Sequence, residues 1–548
     1  MASQKNFAIT PSVSISRSKF KRPNTHKTSF NLGDIVPIYV DADILPGDTV
    51  SMDLAALVRM SNPICPIMDN IHIDYYAFFC PNRLVYNNWK KFMGENTSSY
   101  GAATDPGYPT ISISGSGIRV GTGSIGDYMG LPHLTQDSVP VRVSALPGRA
   151  YCLIYNEWFR DQNLISPLSI YTGLGTSDPL AQDPNNFDGS TVWYNHALFK
   201  AAKDSDYFTR ALPYAQKGSP VSLPLGQYAD LEWSSKNASW ASLTANNTYG
   251  IAAVPSSNGA VKGKDFALLG FEDTQALTNG EIKLRADLST ATAATINQLR
   301  FAFQYQKFLE KDALYGTRYW EILKGHFGIT APDASLQRPE LLGHFRQHIN
   351  IDQVLQTTGS DVSTPSNNTL GIPGANSVSG KSEHLISKSF VEHGVLMVLA
   401  VARHDQTYGQ GLNRMWSRTK RTDFYFPVFA NLGAQEVLEK EIYCNASSSD
   451  ANVFGYQEAW AEYRYKPNQV SGLLNPSVAN SLGFWTLANN FAAAPTLSAS
   501  FINQDRSNLS RALSTGSTGP DFIADFYFDA TYVRPMPMYS LPGLIDHH

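Results

Sequence analysis

Three groups of residues have the types and spacing to do chemistry. Gly121, Gly123 and Gly126 form a literal GxGxxG after an extended stretch, half of a dinucleotide fingerprint. The other half, a helix receiving the pyrophosphate and an acid about 20 residues on, is missing. Gly130 and Pro132 stop a helix, and position 146 is Leu146. Glu340, His344 and His348 would share one face if they lay on a helix, and could then hold a metal ion. No HExxH or CxxC partner set accompanies them, and twelve histidines produce such spacings by chance. His393, His404 and Asp405 flank an apolar run and could join a serine in a hydrolytic triad, yet no nucleophile elbow is present. The expectation for all three is a polar role in a core or an interface. No catalytic residue, metal ligand or cofactor is assigned.

Charge is distributed unevenly. The first thirty residues carry Lys5, Arg17, Lys19, Lys21, Arg22 and Lys27 and no acid. The chain has 43 Lys and Arg against 47 Asp and Glu, so everything after Phe30 holds 37 cations against 47 acids, a net −10. A basic segment rich in Ser, Thr and Pro buries too little apolar surface to fold alone and suits a polyanion. Phe20 lies between Lys19 and Lys21, and aromatic rings interleaved with cations fit single-stranded bases and phosphates. The candidate nucleic-acid set is therefore Arg17, Lys19, Phe20, Lys21, Arg22 and Lys27, on an arm of residues 1–30. A solubilising leader is the plainer alternative.

These residues belong to a chain of 548, long enough for a large core, with 12% aromatic, 16% charged, 40 Gly and 31 Pro. That balance predicts many strands joined by turns and long loops. Extended runs are expected at 35–40, 49–54, 71–79 and 423–430, with a type II turn at Leu45–Asp48 and a fully buried strand at 395–401. Pro427 places its run at an edge or a bulge. Amphipathic helices are expected at 147–163 and 295–314, the second apolar on more than one face and so covered on several sides. Residues 226–295 contain 38 Ala, Ser, Thr, Asn or Gly in 70, a core-poor insertion that retains Trp233, Trp240, Phe266 and Phe271. Residues 357–380 hold 18 Gly, Ser, Thr, Asn or Pro in 24 and read as one surface loop. The longest apolar run is too short to span a bilayer, and the N-terminus lacks a signal-like apolar region. Three glycosylation sequons, at Asn96, Asn237 and Asn246, are read as chance matches. Cys65, Cys80, Cys152 and Cys444 are expected as free, mostly buried thiols.

From Val141 onward the chain resembles the major capsid protein of microviruses (Microviridae), small tailless single-stranded DNA bacteriophages, most closely the gokushovirus branch. The blocks are SALPGRAYCLIYNEWFRDQNL at 144–164, LRFAFQYQKFLEKDALYGTRYWEILKGHFG at 299–328, LQRPELLGHFRQHI at 336–349, VFGYQEAWAEYRYKPNQVSG at 453–472 and ATYVRPMPMYSLPGL at 530–544. The resemblance implies a mainly β fold, an eight-stranded antiparallel jelly-roll barrel over residues 31–548 with large loop insertions containing helices. It implies a structural, non-enzymatic protein of the virion that self-assembles in the host bacterial cytoplasm into a T=1 icosahedral shell around circular single-stranded DNA. Residues 226–295 would form a surface protrusion at the threefold axis, with a role in host attachment. The implied partners are other copies of the chain, the single-stranded DNA genome, a small basic DNA-packaging protein, a minor or pilot capsid protein, a scaffolding protein during assembly and a bacterial surface receptor. Two other classes remain: a carbohydrate-active or carbohydrate-binding jelly roll, which needs paired carboxylates in an aromatic cleft, and a DNA-binding protein outside any virion.

Overall fold

The computed structural model describes residues 15–95, 107–113, 119–135, 141–170, 172–173, 193–219, 221, 230–234, 283–287, 296–357, 371 and 373–539. The chain divides into two compact units, Met1–Lys217 with Glu310–His548, and Gly218–Leu309 inserted between them in sequence.

The first unit is built on nine strands: β1 (Ser18–Lys21), β2 (Asn24–Phe30), β3 (Ile35–Ile44), β4 (Thr49–Met60), β5 (Ile71–Pro81), β6 (Glu340–His348), β7 (Val378–Ser389), β8 (Gly394–His404) and β9 (Phe522–Arg534). They form two antiparallel sheets. One runs β1-β9-β4-β7, with β2 also on β9, and the other runs β6-β5-β8-β3. The sheets are mainly β architecture without a closed barrel, and they share one core. Phe526 meets Tyr75 edge-on with ring centroids 5.9 Å apart, Phe528 lies 4.9 Å from Tyr39, and the hydroxyls of Tyr39 and Tyr532 are 2.7 Å apart.

Alternation explains the first sheet. In β4 the residues Val50, Met52, Leu54, Ala56, Val58 and Met60 point inward while Ser51, Asp53, Leu57 and Arg59 are exposed. The second sheet is buried on both faces, which is why β8 reads as an unbroken apolar run and all eleven of its residues are buried. Its outer face is covered by a helix, α1 (Leu146–Ile154), continued as a wider turn through Tyr155–Phe159. Tyr151 donates its hydroxyl to the Ile35 carbonyl at 2.7 Å, and Trp158 and Phe159 pack on Phe78. The turn at Leu45–Asp48 is as expected, with Gly47 at φ 92° and the Asp48 amide donating to the Leu45 carbonyl. Cys65, Cys80 and Cys152 are buried, Cys444 is exposed, and all four are free.

Several expectations change. Residues 18–30 are not a separate tail but two strands on the edge of β9, paired Ser18 to Arg534 through Phe30 to Phe522. Phe30 is buried and stacks on Phe522 at 5.4 Å. Residues 423–430 contain short 3-10 turns at Arg421–Asp423 and Pro427–Phe429 in place of a strand; proline's fixed φ and missing N–H suit the first helical position. The loop at 357–380 is shorter than expected, because Pro373–Asn376 pairs with Asp352–Leu355 and Val378 opens β7. Helix α2 (Ile296–Tyr315) forms, yet Phe301 and Phe303 are 69% and 64% exposed in the single chain. In the second unit, Asp230–Ser234 pairs with Lys283–Asp287. Trp233 lies on the first of these strands, whereas Trp240, Phe266 and Phe271 fall outside the described residues.

Deleting residues 1–30 removes both edge strands and the Phe30 anchor. The expected result in denaturant unfolding is a loss of about 3–5 kcal/mol or failure to accumulate soluble protein; a dispensable tail would leave the transition unmoved.

Candidate nucleic-acid interface

Pairing to β9 sorts the six candidate residues, because neighbouring positions on a strand point to opposite faces. Phe20 is opposite inward-facing Tyr532 and packs against the core, so its ring is not free to stack on bases. Arg22 is also structural. Its Nη1 donates to Asp41 Oδ2 at 2.8 Å and its guanidinium lies 4.8 Å from the Tyr532 ring centroid. Asp41 is buried and also accepts the Tyr532 hydroxyl at 2.8 Å. Burial opposes the Arg22 charge, but Asp41, Tyr532 and Tyr39 outweigh it and raise its pKa above the ordinary value.

Lys19 and Lys21 sit opposite Val533 and Thr531 on the outer face, exposed and without an ion pair among the described residues. Lys27 is exposed on that face too, 3.3 Å from Asp525, a contact worth less than about 1 kcal/mol. Arg17 is exposed ahead of β1. Two residues not singled out above share the outer face: Arg59, and Tyr527, which is 44% exposed. Strand alternation is the signal that would have found them. Asp53, Asp525 and Asp529 lie there as well, so the face is only weakly positive.

The other groupings come apart. Glu340, His344 and His348 lie on strand β6, where a four-residue separation is roughly 13 Å, too far for one ion. His393 and His404 flank opposite ends of β8. His404 is buried with Nδ1 2.8 Å from the Asp405 carbonyl, and burial pushes its pKa down to about 4, so it is neutral at pH 7. The GxGxxG segment is shaped by packing: a Cβ at Gly126 would come within 2.6 Å of the Tyr194 carbonyl oxygen.

The densest charge cluster joins distant segments. Asp74, fully buried on β5, accepts Arg346 Nε and Nη2 at 2.7 and 3.0 Å and Arg403 Nη1 at 2.8 Å. Burial alone would raise this carboxyl; the Arg346 hydrogen bonds and the charges of Arg403, Arg346 and His72 hold it below the usual range. Next to it, His72, Asp204 and Asp405 bring one ligand atom each within 4.8 Å of one another. Arg346 and Arg403 stand 3.5 and 3.9 Å from Asp204, so positive charge already occupies the neighbourhood. The arrangement works as a staple between β5, β6, β8 and the 204 loop.

Glu441 and Glu462 line a cleft with Tyr207, Tyr408 and Tyr465, the pattern a glycan site requires. Arg414 lies 3.5 Å from Glu441 and 4.0 Å from Glu462, Arg418 is 3.4 Å from Glu462, and Tyr207 donates to Glu441 at 2.9 Å. The space is about 70 Å³, well short of the roughly 300 Å³ of small-ligand pockets.

The family described as "Capsid protein (F protein)" matches residues 8–544. The chain is 40% identical over 548 residues to the capsid protein VP1 of Bdellovibrio phage phiMH2K, covering 98% of each. It is 37% identical over 594 residues to capsid protein VP1 of Chlamydia phage 1, covering 98% of this chain and 97% of that one. It is 36% identical over 550 residues to that of Spiroplasma virus 4, with the same coverage.

Arg22→Gln leaves Asp41 without its cation and is expected to cost about 1–2 kcal/mol in urea unfolding, reduced from a fully buried pair by the exposure of Arg22. Lys19→Gln and Lys21→Gln should stay within about 0.5 kcal/mol of the parent. Asp74→Asn should cost about 3 kcal/mol at pH 7, because it removes the buried carboxylate that Arg346 and Arg403 share and leaves them only the more distant, half-buried Asp204. Because the folded Asp74 pKa lies below its unfolded value, its contribution is present above about pH 4 and fades as pH falls through the lower folded value. The deficit of the variant should therefore shrink in unfolding curves taken down that range.

Proposed function

We propose, for a chain that belongs to the phage capsid protein (F protein) family, that its copies close into a T=1 icosahedral shell around a circular single-stranded DNA genome. The protein is a structural capsid protein of gokushovirus type, a component of the virion and not an enzyme. The observation that carries the closed-shell reading is the apolar surface the single chain leaves uncovered. Val428, Val391, Phe327 and Trp416 are 88%, 87%, 70% and 70% exposed. Burial against symmetry-related copies accounts for them, and mass action makes a closed shell stable although each contact is modest.

We read the two sheets as an eight-stranded jelly roll. Support comes from strand order: counting β2 as the first barrel strand, one sheet runs first, eighth, third, sixth, and the other second, seventh, fourth, fifth. The 31–548 boundary then moves back to include residues 24–30, and the helices lie in the insertions between strands. On the inner surface, Arg17, Lys19, Lys21 and Lys27 contact phosphates. Four such contacts correspond to a log-log salt slope of about −3, modest enough that a small basic packaging protein shares the task. Gly218–Leu309, inserted between β5 and β6, is the natural threefold protrusion and host-attachment element, carrying Trp233, Trp240, Phe266 and Phe271. Scaffolding and pilot proteins and a bacterial receptor complete the expected partners.

Negative-stain microscopy of the expressed chain, with and without its scaffolding and minor proteins, is expected to give closed shells of uniform diameter. Soluble monomers under every condition would contradict the assembly reading.

A further inference from the structure

The outer face of the first sheet carries an open groove of about 490 Å³ where β2, β9 and β4 lie side by side. Strand register sets its layout. Asp525 on β9 is opposite Lys27 on β2 and Leu57 on β4, and the next outward row brings Ile523 opposite Ser29 and Arg59. Two residues the other way, Tyr527 is opposite Thr25 and Ala55. Leu57 is thus the diagonal neighbour of both Ile523 and Tyr527, roughly 7–8 Å from each along the backbone, and the three make an apolar zigzag across the face. All three are exposed, as are Lys27 and Arg59 on the two flanks.

A solvated sheet face normally presents polar side chains, so three large apolar ones on one such face call for a cover. That cover has to suit cations on both sides. Lys27 is already 3.3 Å from Asp525, which leaves Arg59, without an ion pair among the described residues, as the cation able to take a new anion. A nucleobase of a single strand meets both demands: its flat face lies on aliphatic side chains and the Tyr527 ring, and its phosphate reaches the guanidinium. Duplex DNA keeps its base faces stacked inside and has none to offer. Thr531, opposite Lys21, is six positions along β9 from Asp525, about 20 Å, so a strand of several nucleotides lying along β9 also passes the N-terminal lysines.

We propose that this groove is a stacking platform for single-stranded nucleic acid, with bases lying flat on Ile523, Leu57 and Tyr527 and an adjoining phosphate on Arg59. The proposal rests on the reading that the shell encloses single-stranded DNA, and it gives that contact a base-stacking component which lysines alone do not supply.

Full-length protein is titrated with a short fluorescent oligothymidylate, an abasic oligomer of the same length and a duplex of the same length. The oligothymidylate is expected to bind about fivefold or more tightly than the abasic oligomer. Tyr527→Ser is expected to lose about fivefold or more in oligothymidylate affinity and little in abasic affinity, with Tyr527→Phe retaining both. Leu57→Ser and Ile523→Ser should act in the same direction, and Arg59→Gln should reduce the log-log salt slope by about 0.7. Thermal melting verifies that each variant is folded. Equal binding of the oligothymidylate and the abasic oligomer would reduce the face to phosphate contacts and overturn the proposal, as would tighter binding of the duplex. Oligothymidylate affinity unchanged in folded Tyr527→Ser and Leu57→Ser but lowered by Lys19→Gln and Lys21→Gln would leave the genome reading standing and remove the groove. Leu57→Ser and Ile523→Ser that bind oligothymidylate normally and no longer close shells would assign the apolar zigzag to a second copy of the chain, again removing the groove. No binding of any oligomer by the parent protein would remove the genome reading itself.

Discussion

Strand β9 joins the two ends of the chain, and the first sheet depends on it. Along one edge it pairs with β4; along the other it receives β2 and then β1, so residues 18–30 meet residues 522–534 across nearly the whole sequence. The contact is sealed by Phe30 on Phe522 and by the Tyr532–Asp41–Arg22 group at the other end. Pairing at such sequence separation comes with a large loop-closure cost, and it is repaid only when the sandwich core is complete. The last strand therefore supplies both a face of the core and the template that orders the N-terminal cations.

That constraint changes what the basic segment is. Six cations before Phe30 would make a loose polycation if the segment were free. Tied to β9, Arg22 is drawn into an ion pair with Asp41 and Phe20 into the core, while Lys19, Lys21 and Lys27 are presented at fixed spacing on one outer face. Arg59 and Tyr527 join that face, and three aspartates temper it. A weak, ordered contact fits a shell protein whose main partner is another copy of itself.

Much of the sandwich was legible because burial imposes a pattern. Extended runs around the Leu45–Asp48 turn marked β3 and β4, alternating Ile71, Ile73, Tyr75, Ala77 and Phe79 marked β5, a continuous apolar run marked β8 buried on both faces, and a 3.6-residue period marked α1. Blocks such as ATYVRPMPMYSLPGL also announced the capsid family before any coordinates. The strands at 18–30 were not read because they contain only two large apolar residues, and their stability comes from a partner some 500 positions away. Lys19-Phe20-Lys21 did carry the period-two signal, read as a cation and ring mixture for bases. The Asp74 staple left no trace, since Asp74, Asp204, Arg346 and Arg403 come from four separate segments. The 3-10 turns at 421–429 were hidden by an aromatic-rich stretch with a strand-like composition. Exposed Phe301, Phe303, Val391 and Val428 are the converse case: the sequence marks them as apolar, and the single chain leaves most of their surface in solvent.

The central claim is that an edge-closed sandwich presents its apolar surfaces to other copies and its ordered N-terminal cations to the genome. A cryo-electron reconstruction of genome-filled particles tests it most directly. The account predicts residues 18–30 paired to 522–534, Val391, Trp416 and Val428 covered between copies, and Lys19 and Lys21 facing the interior beside genome density. Lysines on the outer surface, or those apolar side chains left in solvent in the closed particle, would contradict it.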